Sequence, residues 1–107
     1  MVIVPGLPST FMSIPTSGYL LMSGSADIYE TGGAGSSPWC NFSIDGSALG
    51  ASHRYLYIDQ WEAGICSSEI RGQRGAGTYT MTFHLGGLDP SNSFPDDGSA
   101  WVLFIPA

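Results

Sequence analysis

Thr78-Tyr79-Thr80-Met81-Thr82-Phe83-His84-Leu85 is the stretch that decides the fold class of this chain. Apolar residues hold every odd position, and small polar or basic residues hold every even position. A period of two predicts a β-strand with one solvated face, and β-branched Thr on the outer side suits an antiparallel sheet. We therefore expect an all-β protein in which the odd residues of this strand pack against a core.

Two other segments carry informative strand patterns. Between Tyr19 and Glu30 the even positions are apolar or small, which predicts a long strand with one apolar face. Its small residues, Gly24 to Ala26, would let another group pack close, and we expect them at a symmetry axis between subunits. The run from Trp101 to Ile105 is apolar without alternation, which predicts burial on both faces and a central place in its sheet.

The composition of the chain limits the fold class and the kinds of partner that we expect. The chain has 107 residues with 15 Gly, 7 Pro and 11% charged residues, a balance typical of one turn-rich all-β domain over residues 1–107. Nine carboxylates face three arginines, there is no lysine, and the formal net charge is -6. Phosphate binding needs clustered cations, so nucleic acid is not an expected partner.

Neither a membrane span nor a secretory signal is expected from these residues. No apolar run approaches the roughly 20 residues that span a bilayer, so no membrane span is expected. Residues 1–13 begin Met1-Val2-Ile3-Val4-Pro5, which has no basic start and stops at proline. We expect this segment to be a lead-in or an edge strand. A phage virion protein that is released by lysis would need no signal.

Cys40 and Cys66 are the two cysteines of the chain. No C-x-x-C motif is present, and neither His53 nor His84 stands at a zinc-ligand offset from them, so a zinc site is not expected. A disulfide between them would stabilise the fold by roughly 3 to 4 kcal/mol in the chain-entropy treatment. We favour this disulfide, and two buried free thiols are the alternative.

Four segments together resemble a known family. They are Ile14-Pro15-Thr16-Ser17-Gly18-Tyr19 leading into Leu20-Leu21-Met22-Ser23-Gly24, then Asn41-Phe42-Ser43-Ile44-Asp45-Gly46, Gly77-Thr78-Tyr79-Thr80-Met81 and Ser99-Ala100-Trp101-Val102-Leu103-Phe104-Ile105. Their order and spacing resemble the complement-globular-head and tumour-necrosis-factor-like jelly roll over most of the chain. The resemblance implies an antiparallel β-sandwich of jelly-roll topology that forms a trimer around a hydrophobic axis. It implies binding by loops or subunit clefts, and no catalytic residues.

A loop from Asp89 to Gly98 is the candidate metal site. Its three carboxylates and one amide offer the oxygen ligands that calcium prefers, supplied by Asp89, Asn92, Asp96 and Asp97. The pattern is not that of an EF-hand, and Asp and Asn are also ordinary turn formers. The loop is therefore either a calcium site or a plain solvated turn, and no other cofactor is expected.

Two further groups of residues are candidates for ligand binding. Tyr55, Tyr57 and Trp61 could stack on a sugar ring, although aromatic residues of a small sandwich are also used in the core and in subunit contacts. Arg71 and Arg74 are the one concentration of positive charge, and they could grip a carboxylate or a neighbouring subunit.

No catalytic signature accompanies the remaining polar residues. His53, His84, Asp27 and Ser23 occur without a G-x-S-x-G elbow, an H-E-x-x-H helix or another nucleophile motif, so we do not expect an enzyme. Asn41-Phe42-Ser43 matches a glycosylation sequon, which matters only in a secreted eukaryotic protein.

These features predict a non-enzymatic structural and binding module. We expect a homotrimer at a virion surface, as a decoration or fibre-type protein in contact with capsid or fibre proteins, or in an extracellular assembly. The alternative function is a monomeric carbohydrate-binding module whose partner is a glycan.

Overall fold

Two antiparallel sheets packed against each other make up the computed structural model, which describes residues 2–3, 9–32, 37–89 and 91–107. This confirms the predicted all-β sandwich, while jelly-roll topology stays a prediction. The elements within the described ranges are β1 (Val2–Ile3), β2 (Thr10–Ile14), β3 (Gly18–Glu30), β4 (Trp39–Ile44), β5 (Ser47–Ala48), a 3₁₀ turn (Gly50–Ser52), β6 (Arg54–Tyr55), β7 (Ala63–Arg74), β8 (Gly77–Gly86) and β9 (Ser93–Pro106).

Strand β8 organises the larger sheet and β3 organises the smaller one. In the larger sheet, β4 pairs with one edge of β8, and β1 and β2 pair with the other edge. The short strands β5 and β6 extend the far edge of β4. In the smaller sheet the order is β7-β3-β9, with every pair antiparallel.

The core lies between the sheets and follows the predicted alternation. Strand β3 buries its even residues and β8 buries Met81, Phe83 and Leu85, as their period of two predicts. The buried hydrophobic residues are Ile14, Leu20, Met22, Ala26, Ile28, Cys40, Phe42, Ile44, Ile58, Cys66, Met81, Phe83 and Leu85. The described ranges contain no helix with the length and the hydropathy of a transmembrane segment.

The disulfide between Cys40 and Cys66 is present and joins the two sheets. Cys40 lies in β4, Cys66 lies in β7, and their Cα atoms are 6.2 Å apart. Both residues belong to the core cluster. The favoured prediction of a disulfide is therefore confirmed over the alternative of free thiols.

The C-terminal strand does not occupy the predicted place. Strand β9 pairs with β3 along one side and forms an edge of the smaller sheet in the described chain. Its residues Trp101, Leu103 and Ile105 are 55%, 51% and 41% exposed, whereas Val102 and Phe104 pack against the core. The prediction of a central strand is wrong because an edge strand that carries apolar side chains on its outer face gives the same uninterrupted apolar run.

The small residues of β3 serve the core and not a symmetry axis. Gly24 and Ala26 point between the sheets and are buried. A Cβ atom on Gly24 would lie 2.9 Å from Cδ1 of Phe83 and 3.0 Å from Cζ of Phe42. The close approach that the small residues predict therefore exists, but the groups that approach are two phenylalanine rings whose centroids are 4.9 Å apart.

Candidate functional site

A row of three rings in tilted contact crosses the outer face of the larger sheet. The indole of Trp39 lies over Gly86 on the neighbouring strand, where a Cβ atom would come 2.1 Å from the ring. The ring of His53 lies on Trp39 with centroids 4.6 Å apart, and Tyr55 follows at 4.7 Å. Residue 86 must be glycine for the indole to lie flat on the sheet, and this row ends in the exposed ring of Tyr55.

The three aromatic residues predicted to bind a ligand are exposed. Tyr55 is 75%, Trp61 is 64% and Tyr57 is 62% exposed, so none of them is a core residue. Tyr55 lies in β6, and the other two lie in the connection from β6 to β7. The hydroxyl of Tyr57 donates to a carboxylate oxygen of Asp59 at 3.4 Å.

Trp61 adopts an uncommon backbone conformation at this connection. Its φ angle is 63°, in the left-handed region that bulky residues rarely occupy. A turn closes around it, with the backbone N–H of Glu62 donating to the carbonyl of Asp59 at 3.2 Å. A left-handed φ at an exposed bulky residue is uncommon and is concentrated at functional sites, so this turn is a candidate binding position.

The two arginines of the predicted cationic pair do not form one site. Arg71 and Arg74 are three residues apart on β7, so they point to opposite faces of the strand. The Arg71 guanidinium lies 5.0 Å from the centroid of the Tyr19 ring on the outer face. Arg74 lies on the inner side, where its guanidinium comes within 3.5 Å of a Cβ built on Gly72. Because of this alternation, the structure does not bring the two guanidinium groups together, and binding of a carboxylate or a neighbouring subunit by either arginine stays a prediction.

The four predicted calcium ligands fall into two separate places. Asp89 closes its own turn: its carboxylate accepts from the backbone N–H of Ser91 at 3.0 Å and from the amide of Asn92 at 2.9 Å. These two hydrogen bonds hold the pKa of the Asp89 carboxyl below its usual value. Because Asn92 turns a donor toward Asp89, the pair is arranged as a turn and not as two ligands of one cation.

Asp96 and Asp97 lie farther along, inside strand β9. There the pairing with β3 shifts, so that the two aspartates stand opposite the single residue Asp27 in a β-bulge. Across the described ranges, no three His, Cys, Asp or Glu side chains are grouped so that they could hold a metal ion. The proposed calcium set is therefore not assembled as predicted.

A polar network under the ring row was not anticipated from the sequence. Asn41 and Ser43 alternate with core residues of β4, so they point outward, yet both are buried. The amide nitrogen of Asn41 is 3.4 Å from Nδ1 of His53, and the Ser43 hydroxyl is 2.7 Å from Nε2 of His84. The Asn41 amide is 4% exposed, so the sequon is closed to glycosylation in the folded domain.

The Ser43–His84 pair has the atoms of a nucleophile and a base, but its surroundings do not suit catalysis. Ser43 is 3% exposed, so a substrate carbonyl could not reach its hydroxyl. Burial also lowers the pKa of His84, which keeps the ring neutral at pH 7. The pair is best described as a satisfied hydrogen bond within the sheet.

Compared with known proteins, the chain matches no family model and no curated protein sequence. The resemblance to complement-globular-head and tumour-necrosis-factor-like jelly rolls therefore stays a prediction. The geometry of the exposed residues carries the functional argument.

Proposed function

We propose that this chain is a non-enzymatic structural and binding module that assembles as a homotrimer of jelly-roll subunits. It would act at a virion surface, as a decoration or fibre-type protein against capsid or fibre proteins, or in an extracellular assembly. The inter-sheet disulfide suits such an oxidising environment, because cytosolic proteins seldom keep structural disulfides.

The single observation that carries the proposal is an apolar strip on the edge strand β9. We define the apolar strip as Trp101, Leu103 and Ile105, which share the outer face of the strand and are each more than 40% exposed. Natural edge strands are usually short, charged or covered, because an uncovered apolar edge associates with other chains. A long edge with three large apolar side chains is therefore typical of a subunit interface.

The charge distribution also favours assembly at this strip. From Gly98 to Ala107 the chain carries no charged side chain, although its net charge is -6. Three copies of the apolar strip around a threefold axis would stack as layers of like side chains without bringing carboxylates together. The carboxylates Asp96 and Asp97 lie outside the apolar strip, at the bulge.

The mass of the native protein in solution, measured by light scattering, tests the proposal. We expect three times the mass of the chain for the wild type, and the mass of one chain for Leu103→Glu, which places a charge in each layer of the axis. Phe11→Glu is the matched control, because Phe11 is 74% exposed on the other sheet. A monomeric wild type, or loss of the trimer in Phe11→Glu alone, would contradict the proposal.

The exposed turn at Trp61 favours a second candidate function, a monomeric carbohydrate-binding module. Exposed aromatic rings stack on the C–H faces of sugars. Asp59 and Gln60 directly precede Trp61 in the sequence, and their side chains are of the kinds that bind sugar hydroxyls: a carboxylate accepts hydrogen bonds, and an amide both donates and accepts them. The left-handed conformation holds the indole at the tip of this turn.

A pull-down on insoluble cellulose, chitin and starch tests this second function. Trp61→Asn should abolish the binding while the fold persists, because Asn tolerates the left-handed region that the turn requires. Phe11→Ser, which removes an exposed ring on β2, should leave binding unchanged. Equal retention of wild type and Trp61→Asn on every polysaccharide would exclude a sugar platform at this turn.

A further inference from the structure

A groove on the outer face of the smaller sheet combines apolar walls with two carboxylates. The groove has a volume of about 480 Å³ and lies where the β-bulge of β9 faces β3 and β7. Its walls include Tyr29 and Ile65, which are 42% and 62% exposed, and its polar groups are Asp27 and Asp96. We call this feature the bulge groove.

The negative charge of the bulge groove is not neutralised by the described part of the chain. Both residues lie in paired strands, but neither the Asp27 nor the Asp96 carboxylate has a side-chain hydrogen bond or an ion pair with another described residue. Arg71 lies six residues along β7 from Ile65, which is about 20 Å away. Its guanidinium already lies on Tyr19.

Arg54 and Arg74 are also directed elsewhere. Arg54 lies in β6 of the larger sheet, where its guanidinium donates to the carbonyl groups of Ala51 and His53. Arg74 lies nine residues from Ile65 along β7, about 30 Å away. The bulge groove therefore presents two exposed carboxylates without an arginine from the described part of its own chain.

The residues that line the bulge groove indicate which kind of ligand would be complementary to it. Ile65 and Ala63 offer aliphatic contact, and the ring of Tyr29 offers a π-face that attracts a cation. An ammonium group has three donors that two carboxylates on neighbouring strands can share, and an alkyl stem covers the apolar wall behind it. A lysine side chain has both parts.

We propose that the bulge groove binds a lysine side chain of a partner protein. The partner is not another copy of this chain, because the sequence contains no lysine. The groove is separate from the apolar strip, since Trp101, the nearest residue of the strip, is five residues from Asp96 along β9, or about 16 Å. The trimer at the apolar strip and lysine binding at the bulge groove can therefore be tested independently, and either proposal can fail without the other.

Titration of the full chain with Nα-acetyl-lysine N-methylamide, followed by amide chemical shifts in NMR, tests the proposal. We expect saturable shifts confined to the backbone around Asp27, Tyr29, Ile65 and Asp96, and weaker binding as salt is added. The same amide of norleucine, which keeps the alkyl stem without the charge, should cause no saturable shift. The arginine amide should bind more weakly than the lysine amide.

Variants of the two aspartates test whether their carboxylates bind the lysine amide. Asp27→Asn and Asp96→Asn should each weaken the binding of the lysine amide by about threefold to fivefold, as expected for solvent-exposed ion pairs. Glu69→Gln is the matched control, because it removes one exposed charge from the same strand face outside the groove, and binding should persist. Absence of saturable shifts, tighter binding of the arginine amide, or equal weakening in Glu69→Gln would overturn the proposal.

Discussion

Gly24 has no side chain, and the space that a side chain would take is filled by two other residues. The rings of Phe42 and Phe83 fill the space above its Cα atom, so the position belongs to the packing of the core. A glycine within a strand can therefore mark a close approach inside one subunit as well as between subunits.

Gly24→Val should destabilise the domain by about 1 to 3 kcal/mol, because the new methyl groups would overlap both rings. Urea unfolding measures the loss. Ser25→Val places the same side chain on the outer face of β3 and should change stability by less than about 0.5 kcal/mol. A stable Gly24→Val variant with an altered oligomeric state would instead return Gly24 to a subunit interface.

His84 gives the fold a dependence on pH. Burial lowers its pKa from the ordinary value of 6.5, so the unfolded chain binds the proton at a higher pH than the folded chain does. The free energy of unfolding therefore falls as the pH drops through 6.5, and this contribution levels off below the folded pKa. At higher pH the imidazole is neutral in both states and contributes no pH dependence.

His84→Gln isolates this contribution, since Gln does not titrate and can still donate to Ser43. Urea unfolding between about pH 8 and pH 5 should show a steeper loss of stability for the wild type than for the variant. Parallel pH profiles for the two proteins would show that His84 does not contribute.

At the scale of the element, β8 and β3 could be predicted and β9 could not. The first two strands alternate in burial, and alternation is a local property that is legible in the sequence. The place of β9 depends on which distant strand pairs with it and on whether anything covers its other side. Nothing in the run from Trp101 to Ile105 carries that information.

The candidate sites also include some features that could be predicted from the sequence and others that could not. Strand period alone separates Arg71 from Arg74, because two residues that are three positions apart on a strand point to opposite faces. The exposure of Tyr55 and Trp61, and the bulge that places Asp27 opposite Asp96 and Asp97, depend on long-range pairing and were beyond reach of the sequence.

The inner and outer faces of β9 should respond differently to substitution. Phe104→Ser should cost about 2 kcal/mol or more, because the partly buried ring of Phe104 packs against the core. Leu103→Ser should cost less than about 1 kcal/mol in dilute protein, because its side chain is 51% exposed. Denaturant midpoints measure both, and equal large losses would mean that β9 is covered on both faces within one subunit.

At the scale of the whole molecule, the disulfide is a covalent cross-link between the two sheets, in addition to the backbone connections. Replacing Cys40 and Cys66 by Ala should lower the free energy of unfolding by about 3.5 kcal/mol, from the loop entropy that the unfolded chain regains. Guanidinium unfolding measures the change, with reduced wild type as the control. An unchanged midpoint in both proteins would mean that packing alone holds the sheets together.

The same bond makes a ring of the chain between Cys40 and Cys66, and the exposed turn around Trp61 lies on that ring. A protease that cuts this turn would leave two peptides tied together, with the strands on both sides still paired. Such a nicked protein would run as one band on a gel without reductant and as two bands with it. Digestion at this turn would therefore leave the two halves of the domain joined, and a stable cleaved form would persist where proteases are abundant.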